Sequence, residues 1–237
     1  MTTLSVHSAA QTHQVGLLRT LVNEDPKLVN AVDADGRTPL HWAASSGSLD
    51  IVRILLEHDA EVDKPDASGW TALHIAVSAG HDKVVEELVG AGADVTRRND
   101  KGITPLHYAA SKSRISIGKL LISRGADINA KDKANQTALH RAATTGSVGF
   151  IKLLLDNSQS TVKTRLNTQD RVGKYRNTPL HLAMESAHAE AAVVLIEAGA
   201  DRGRLNQDGE APEDVEGVGG IEQRRAKQFV VEQCGQP

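Results

Sequence analysis

Cysteine is almost absent from this chain. Cys234 is the only one among 237 residues, so no disulfide can close within it, and a cytosolic and nuclear setting is expected. Aromatic residues are nearly as scarce, two each of Trp, Tyr and Phe. The core must therefore be assembled from Leu, Ile, Val and Ala. No apolar run approaches the ~20 residues of a membrane span. The N-terminus lacks the basic stretch and apolar segment of a secretory signal, so no membrane role is expected. An excess of one charge is missing as well: 27 basic residues stand against 30 acidic ones, a formal charge of −3. That leaves no strongly basic face for a phosphate backbone and argues against nucleic acid as a direct ligand. Finally, no linker rich in Pro, Gly and Ser interrupts the chain. Residues 1–237 are expected to form one domain and to act as a monomer.

What the chain has in abundance is one phrase. It occurs as Thr38-Pro39-Leu40-His41, Thr71-Ala72-Leu73-His74, Thr104-Pro105-Leu106-His107, Thr137-Ala138-Leu139-His140 and Thr178-Pro179-Leu180-His181. The first four copies start 33 residues apart, and the next follows after 41. Phrase and period resemble the signature of ankyrin repeats, each a β-turn and two helices. The expected fold is all-α: a solenoid of seven helix-turn-helix repeats with β-turn fingers, an extended surface for gripping another protein.

The residues of the phrase explain the local structure. Thr38 can cap a helix by accepting from a free backbone N–H, and Pro39 suits the first helical position, where its missing N–H costs nothing. Leu40 points inward. The small pairs Ala43-Ala44, Ala109-Ala110 and Ala142-Ala143 keep the first helix thin enough to stack. Second helices are expected from the apolar spacing of Leu49–Leu56, Asp82–Val89, Ile115–Ile122, Val148–Leu155 and Ala189–Ile196. Gly92, Gly125 and Gly199 follow as left-handed stops. Standard repeats are placed at 34–66, 67–99, 100–132, 133–173 and 174–206, with capping repeats at 3–33 and 207–237. The last cap holds seven acidic and three basic residues and is expected to be polar outside. Aligning Asn167 and Asp170 with Asn129 and Asp132 splits the eight-residue insertion into five residues before Asn167 and three after Asp170. The stretch from Thr161 to Arg176 carries Lys163, Arg165, Arg171, Lys174 and Arg176, as a longer solvated finger or as a basic contact for an acidic partner.

A search for chemistry finds little. The phrase histidines fall one per repeat and form a ladder rather than a converging ligand set; a structural bond to nearby backbone is their expected role. His181 and His188 lack the carboxylate pattern of a zinc protease. Cys234 has no base or electropositive pocket marked out for it. Gly217-Val218-Gly219-Gly220 has no following Lys-Ser/Thr and reads as a connector between two last helices rather than a phosphate loop. No catalytic residue, cofactor or metal is expected. Arg37 and Trp70 precede the phrase, while Trp42, Tyr108 and Arg141 follow it. Trp, Tyr and Arg are enriched at binding hot spots, yet Trp42 and Trp70 could equally pack between adjacent fingers. Asp35, Arg37, Lys112, Arg114, Arg141 and Glu185 interleave both charge signs on what should be the concave side, as matching to a mixed-charge partner would need.

Several of these runs together resemble one family. Asp35–Ala43 (DGRTPLHWA), Gly69–Ala76 (GWTALHIA), Thr104–Arg114 (TPLHYAASKSR), His140–Ala143 and Asn177–Ala183 are similar to gankyrin, a seven-repeat assembly chaperone of the 26S proteasome regulatory particle. The resemblance implies a non-enzymatic protein that clasps the C-terminal domain of one proteasomal AAA-ATPase subunit through charge pairs. Asp35, Arg37, Lys112 and Arg114 match the family's contact residues one for one; together with Asp66 and Glu185, and with the surface candidates Trp42, Trp70, Tyr108 and Arg141, they are the expected partner contacts. The chain departs from the family at Ala67, where an acid is common (Asp66 stands beside it), and at Glu185-Ser186, which keeps one acid of a pair. Leu182–Ser186 lacks the Cys and final Glu of the motif linked to retinoblastoma-protein binding, so that partner is not carried over. Another ankyrin adaptor or inhibitor, of a kinase or transcription factor, is the alternative.

Overall fold

The computed structural model describes residues 5–156, 162–171, 175–217 and 219–237. Thr161, Lys174 and Val218, singled out above, lie outside them. The chain divides into two compact units, one running to Pro105 and including Ser123–Ala126, the other made of Leu106–Ile122 and Asp127–Pro237.

The first unit holds α1 (Val6–Gln11), α2 (Val15–Glu24), a 3-10 turn (Pro26–Asn30), α3 (Pro39–Ser46), α4 (Leu49–Glu57), α5 (Ala72–Ala79) and α6 (Asp82–Gly90). Consecutive helices pair as α1–α2, α3–α4 and α5–α6. α1 packs on α3 and α3 on α5, while α2 packs on α4 and α4 on α6. The second unit holds α7 (Pro105–Ser111) and α8 (Ile115–Ser123), except for Pro105 and Ser123 at their outer ends, and α9 (Ala138–Thr144), α10 (Val148–Leu155), α11 (Pro179–Glu185), α12 (Ala189–Glu197) and α13 (Gly220–Cys234). Here α9 packs on α11, α10 on α12, and α13 closes over α11 and α12. Among the described residues there is no strand, and no helix is long and apolar enough to cross a membrane. The all-helical repeat read from the sequence is present, with second helices within two residues of their expected ends.

The phrase works as expected and does more. Thr38, Thr71, Thr137 and Thr178 are N-caps in reciprocal boxes with the histidine three residues on. In each, the cap's backbone N–H donates to the imidazole Nδ1, at 3.0, 3.2, 3.1 and 3.2 Å. A ring that accepts at Nδ1 carries its proton on Nε2, and that N–H reaches forward. His41 donates to Trp70 O at 3.0 Å, His74 to Ile103 O at 3.1 Å, His107 to Gln136 O at 3.0 Å and His181 to Glu210 O at 3.1 Å. Every one of these partners lies 29 residues ahead, at the foot of the next turn. Across the insertion the corresponding carbonyl is Asn177, and His140 Nε2 finds no well-formed partner although the ring is fully buried.

A second row of bonds measures the insertion. Asn30 Oδ1 accepts from Glu61 N, and Asp63 accepts from Asp94 N, each 31 residues on. Asn129 Oδ1 instead reaches Arg165 N, 36 residues on, and Asn167 Oδ1 reaches Asp201 N, 34 on. Five residues are thus added before Asn167 and three after it, the split read from the sequence.

The terminal repeat differs from expectation. Pro212–Asp214 forms only a turn, followed by the single 15-residue α13. With acids in place of Leu and His there is neither an inward apolar residue nor a reciprocal cap to start a first helix. Gly217 instead lies against α11: a Cβ there would stand 1.8 Å from Glu185 O. The cap's outer face is not wholly polar either, since Ile221 and Phe229 are exposed.

Candidate functional site

The residue before each phrase is not at the fingertip. Asp33 N donates to Arg37 O, Asp66 N to Trp70 O, and Asn99 N to Ile103 O, so these residues close the foot of each turn. The turn itself is organised by its Asp or Asn. Asp33 Oδ1 accepts from the N–H groups of Asp35 and Arg37, both at 2.9 Å; Asp66 Oδ1 does the same for Ser68 and Trp70, and Asp132 Oδ1 for Ala134 and Gln136. Such bonds fix an Asx-turn.

The second carboxylate oxygen then recruits the expected binding residues. In the first unit Trp42 Nε1 donates to Asp33 Oδ2 at 2.8 Å, and Arg37 Nε to Asp66 Oδ2 at 3.3 Å. The Arg37 guanidinium stands 5.3 Å over the Trp42 ring, within cation–π range. Trp70 tilts against His74 at 6.1 Å between centroids. Burial pushes the Asp33 carboxyl up, but the donors from Arg37, Trp42 and Asp35 outweigh it and hold its pKa below the usual value. Arg37, Trp42 and Asp66 are therefore brought together with Asp33. Asp66 is almost fully buried and is a structural acceptor before it is a surface acid. Asp35 differs: it is exposed at the fingertip, and only its backbone is engaged, its carbonyl accepting from Ala67 N at 3.0 Å.

In the second unit Arg141 Nη2 donates to buried Asp132 Oδ2 at 2.7 Å, and Gln136 Nε2 to buried Asp170 Oδ2 at 2.9 Å. Arg141 and Glu185 line one cavity of about 520 Å³ with Gln136, Asp170, Tyr175 and Asn177. Burial raises the pKa of Glu185, nearby Asp170 and Glu210 add to this, and the Asn177 Nδ2–H donated to Oε2 at 3.2 Å opposes it. Tyr108 and Arg114 are half-buried on α7 and just before α8, whereas Lys112 is exposed and its side chain makes no hydrogen bond or ion pair with a described residue. Sequence reasoning missed the acceptors Asp33, Asp132 and Asp170. Their signal was available: Asp33, Asp66, Asn99 and Asp132 recur every 33 residues, followed by Asp170 and Asn206.

The Nε2 atoms of His181 and His188 bond separate backbone carbonyls, of Glu210 and Thr144. Among the described residues no three His, Cys, Asp or Glu side chains gather as a metal site would require. Burial raises the Cys234 thiol above its ordinary pKa, which keeps the nucleophilic thiolate scarce.

Comparison with known proteins places these features. The family model for ankyrin repeats matches three overlapping stretches, residues 6–99, 63–132 and 106–206. Serine/threonine-protein kinase VIK of Arabidopsis thaliana is 46% identical over 54 residues, which is 23% of this chain and 12% of that protein. Probable protein S-acyltransferase 23 of the same plant is 41% identical over 56 residues, 24% of this chain and 10% of that one. Ankyrin repeat and SAM domain-containing protein 6 of Mus musculus is 46% identical over 48 residues, 20% and 5% respectively. The matched segments thus span an eighth or less of these three relatives.

Proposed function

Because the chain belongs to the ankyrin-repeat proteins, matching their model across residues 6–206, we propose that this protein-interaction module is a non-enzymatic assembly chaperone. It holds the C-terminal domain of a proteasomal AAA-ATPase subunit and assists assembly of the regulatory particle, in the cytoplasm and nucleus. The observation that carries the reading is a pair of exposed, oppositely charged side chains, Asp35 in the first unit and Lys112 in the second. Each lies within a run that resembles the gankyrin family, and neither is consumed by an ion pair within the described chain. Arg37, Trp42 and Arg141 present partly exposed surfaces whose polar atoms are already oriented by the turns, and Trp70 is partly exposed beside them, so they can meet a partner at little entropic cost.

The test is calorimetry against the separate C-terminal domains of the proteasomal ATPase subunits at two salt concentrations. Tight, salt-sensitive binding to one domain is expected. Asp35→Lys and Lys112→Glu should each weaken it about tenfold or more, since about 1.4 kcal/mol corresponds to one decade. Arg37→Glu is a poorer probe than the sequence suggests, because it would set a carboxylate against buried Asp66. A second reading, another ankyrin adaptor or inhibitor, is favoured by the variety of the relatives, which share only an ankyrin-length segment with this chain. Binding to none of the ATPase domains would leave that reading in place.

A further inference from the structure

At the fingertip of each standard turn one residue takes a left-handed backbone. Gly36, Gly69, Gly102 and Gly209 do so with φ between +73° and +80°, as does Asn135 at +60°. Glycine, and to a lesser degree Asn, is suited to that region. In the finger lengthened by the insertion the same place is held by Arg176, at φ +57°. A long cationic side chain thus occupies the one fingertip position where its Cβ is sterically unwelcome. Arg176 is exposed, and its guanidinium forms no hydrogen bond or ion pair with a described residue.

Arg176 has one cationic neighbour on its own finger, Arg171, and one on the preceding finger of the same unit, Lys133. Arg171 N donates to Ala134 O at 2.7 Å, tying this finger to the one that carries Lys133. Gln207 N donates to Tyr175 O at 2.7 Å, tying it to the finger that carries Asp208. Lys133 and Arg171 are exposed and, like Arg176, unpaired among the described residues. Tyr175 between them is 44% exposed. Three unpaired cations and an accessible phenol therefore share one fingertip edge in a chain whose formal charge is −3. A strained residue that serves no bond within the fold points outward to a function.

We propose that Lys133, Arg171, Tyr175 and Arg176 form a docking patch for an acidic polypeptide segment, with carboxylates paired to the three cations and the peptide's stem laid on the Tyr175 ring. The patch is short, three cations with exposed Asp208 at its flank, which suits a few carboxylates and is too small to track the many phosphates of a nucleic acid backbone. This inference does not rest on the proteasome reading, and its test needs no ATPase.

Fluorescence anisotropy of a fluorescein-labelled octaglutamate peptide, titrated with the full chain, reads the patch directly. An octalysine peptide and a twelve-nucleotide single-stranded DNA serve as comparisons. Octaglutamate alone should bind, more weakly as salt rises. Arg171→Ala and Arg176→Gly should each weaken binding about tenfold, while a Lys163→Ala, Arg165→Ala double variant should bind as the parent does. Arg176→Gly should also melt at a higher temperature, having exchanged a strained residue for a compatible one. Absence of binding, equal binding by Arg171→Ala and Arg176→Gly, or tighter binding of the oligonucleotide would overturn the proposal. A lower melting temperature for Arg176→Gly would remove the strain that singles out this fingertip.

Discussion

At the scale of the residue, the phrase histidine joins two tasks: it accepts at Nδ1 to cap its own helix and donates at Nε2 to the next turn. The first task was legible, since Thr and His stand at capping-box spacing in one short run. The second was legible only as a bond to nearby backbone, because the carbonyl it takes lies 29 residues away and nothing local names it. His140 separates the two tasks, having kept the cap and lost the well-formed forward bond. His74→Ala should therefore cost about 1 kcal/mol more than His140→Ala, the net worth of one ordinary hydrogen bond. Urea unfolding of both variants checks this, and equal losses would mean that the forward bond contributes nothing. The charged surface residues show the complementary limit. Asp66 and Arg141 were expected as surface contacts; that Asp66 is buried under Arg37, and Arg141 bonded to Asp132, depends on turns whose folding a single sequence does not display.

Helices pack at the next scale up, and there Gly118 decides a sign. It sits in the middle of α8, where Ala would ordinarily be favoured by about 1 kcal/mol. A Cβ at this place would stand 2.5 Å from the Phe150 ring of α10. Overpacking of that kind costs about 1–3 kcal/mol, so Gly118→Ala should lower the melting temperature. A rise would show that the Phe150 ring yields. The terminal element, α13, was the least legible, because it follows no phrase. Its C-terminal end is held by Arg202, which pairs with Glu213 at 2.6 Å and donates to the carbonyls of Cys234, Gly235 and Gln236. Cys234 O is one of the carbonyls a helix end leaves unsatisfied, and Gly235 and Gln236 continue just past that end. Arg202→Met should speed amide exchange in the last turns of α13 and leave α9 and α10 unaffected; uniform acceleration would contradict a local role.

For the molecule as a whole, the histidines make stability depend on pH. Burial lowers the pKa of His41 and His181, and brings His74 and His140 from 6.5 to about 4. Carbonyl acceptors pull the other way without prevailing. Between pH 6.5 and about 4 the unfolded chain binds protons that the folded chain refuses, so stability falls on acidification through that window. A depression from 6.5 to about 4 is worth about 3 kcal/mol when complete. Glu185, with its raised pKa, works in the opposite sense. The urea midpoint should drop between pH 7.5 and 5.5, and an unchanged midpoint would exclude the histidines as the cause. The repeat architecture was legible because one physical solution is written out five times, and the insertion could be placed against those copies, whereas the C-terminal cap departs from the phrase and had no second copy to be read against. The 29-residue forward reach of these histidines also governs how such a chain can grow. Material added inside that reach stretches the tie it spans, as at His140; material added as a whole repeat, carrying its own turn and its own histidine, brings a new acceptor with every new donor. Lengthening by duplication therefore leaves every tie intact, while lengthening by loop extension loosens the tie that spans the loop, as at His140. Among chains built this way, repeat number should vary more freely than the length between a phrase and the following turn.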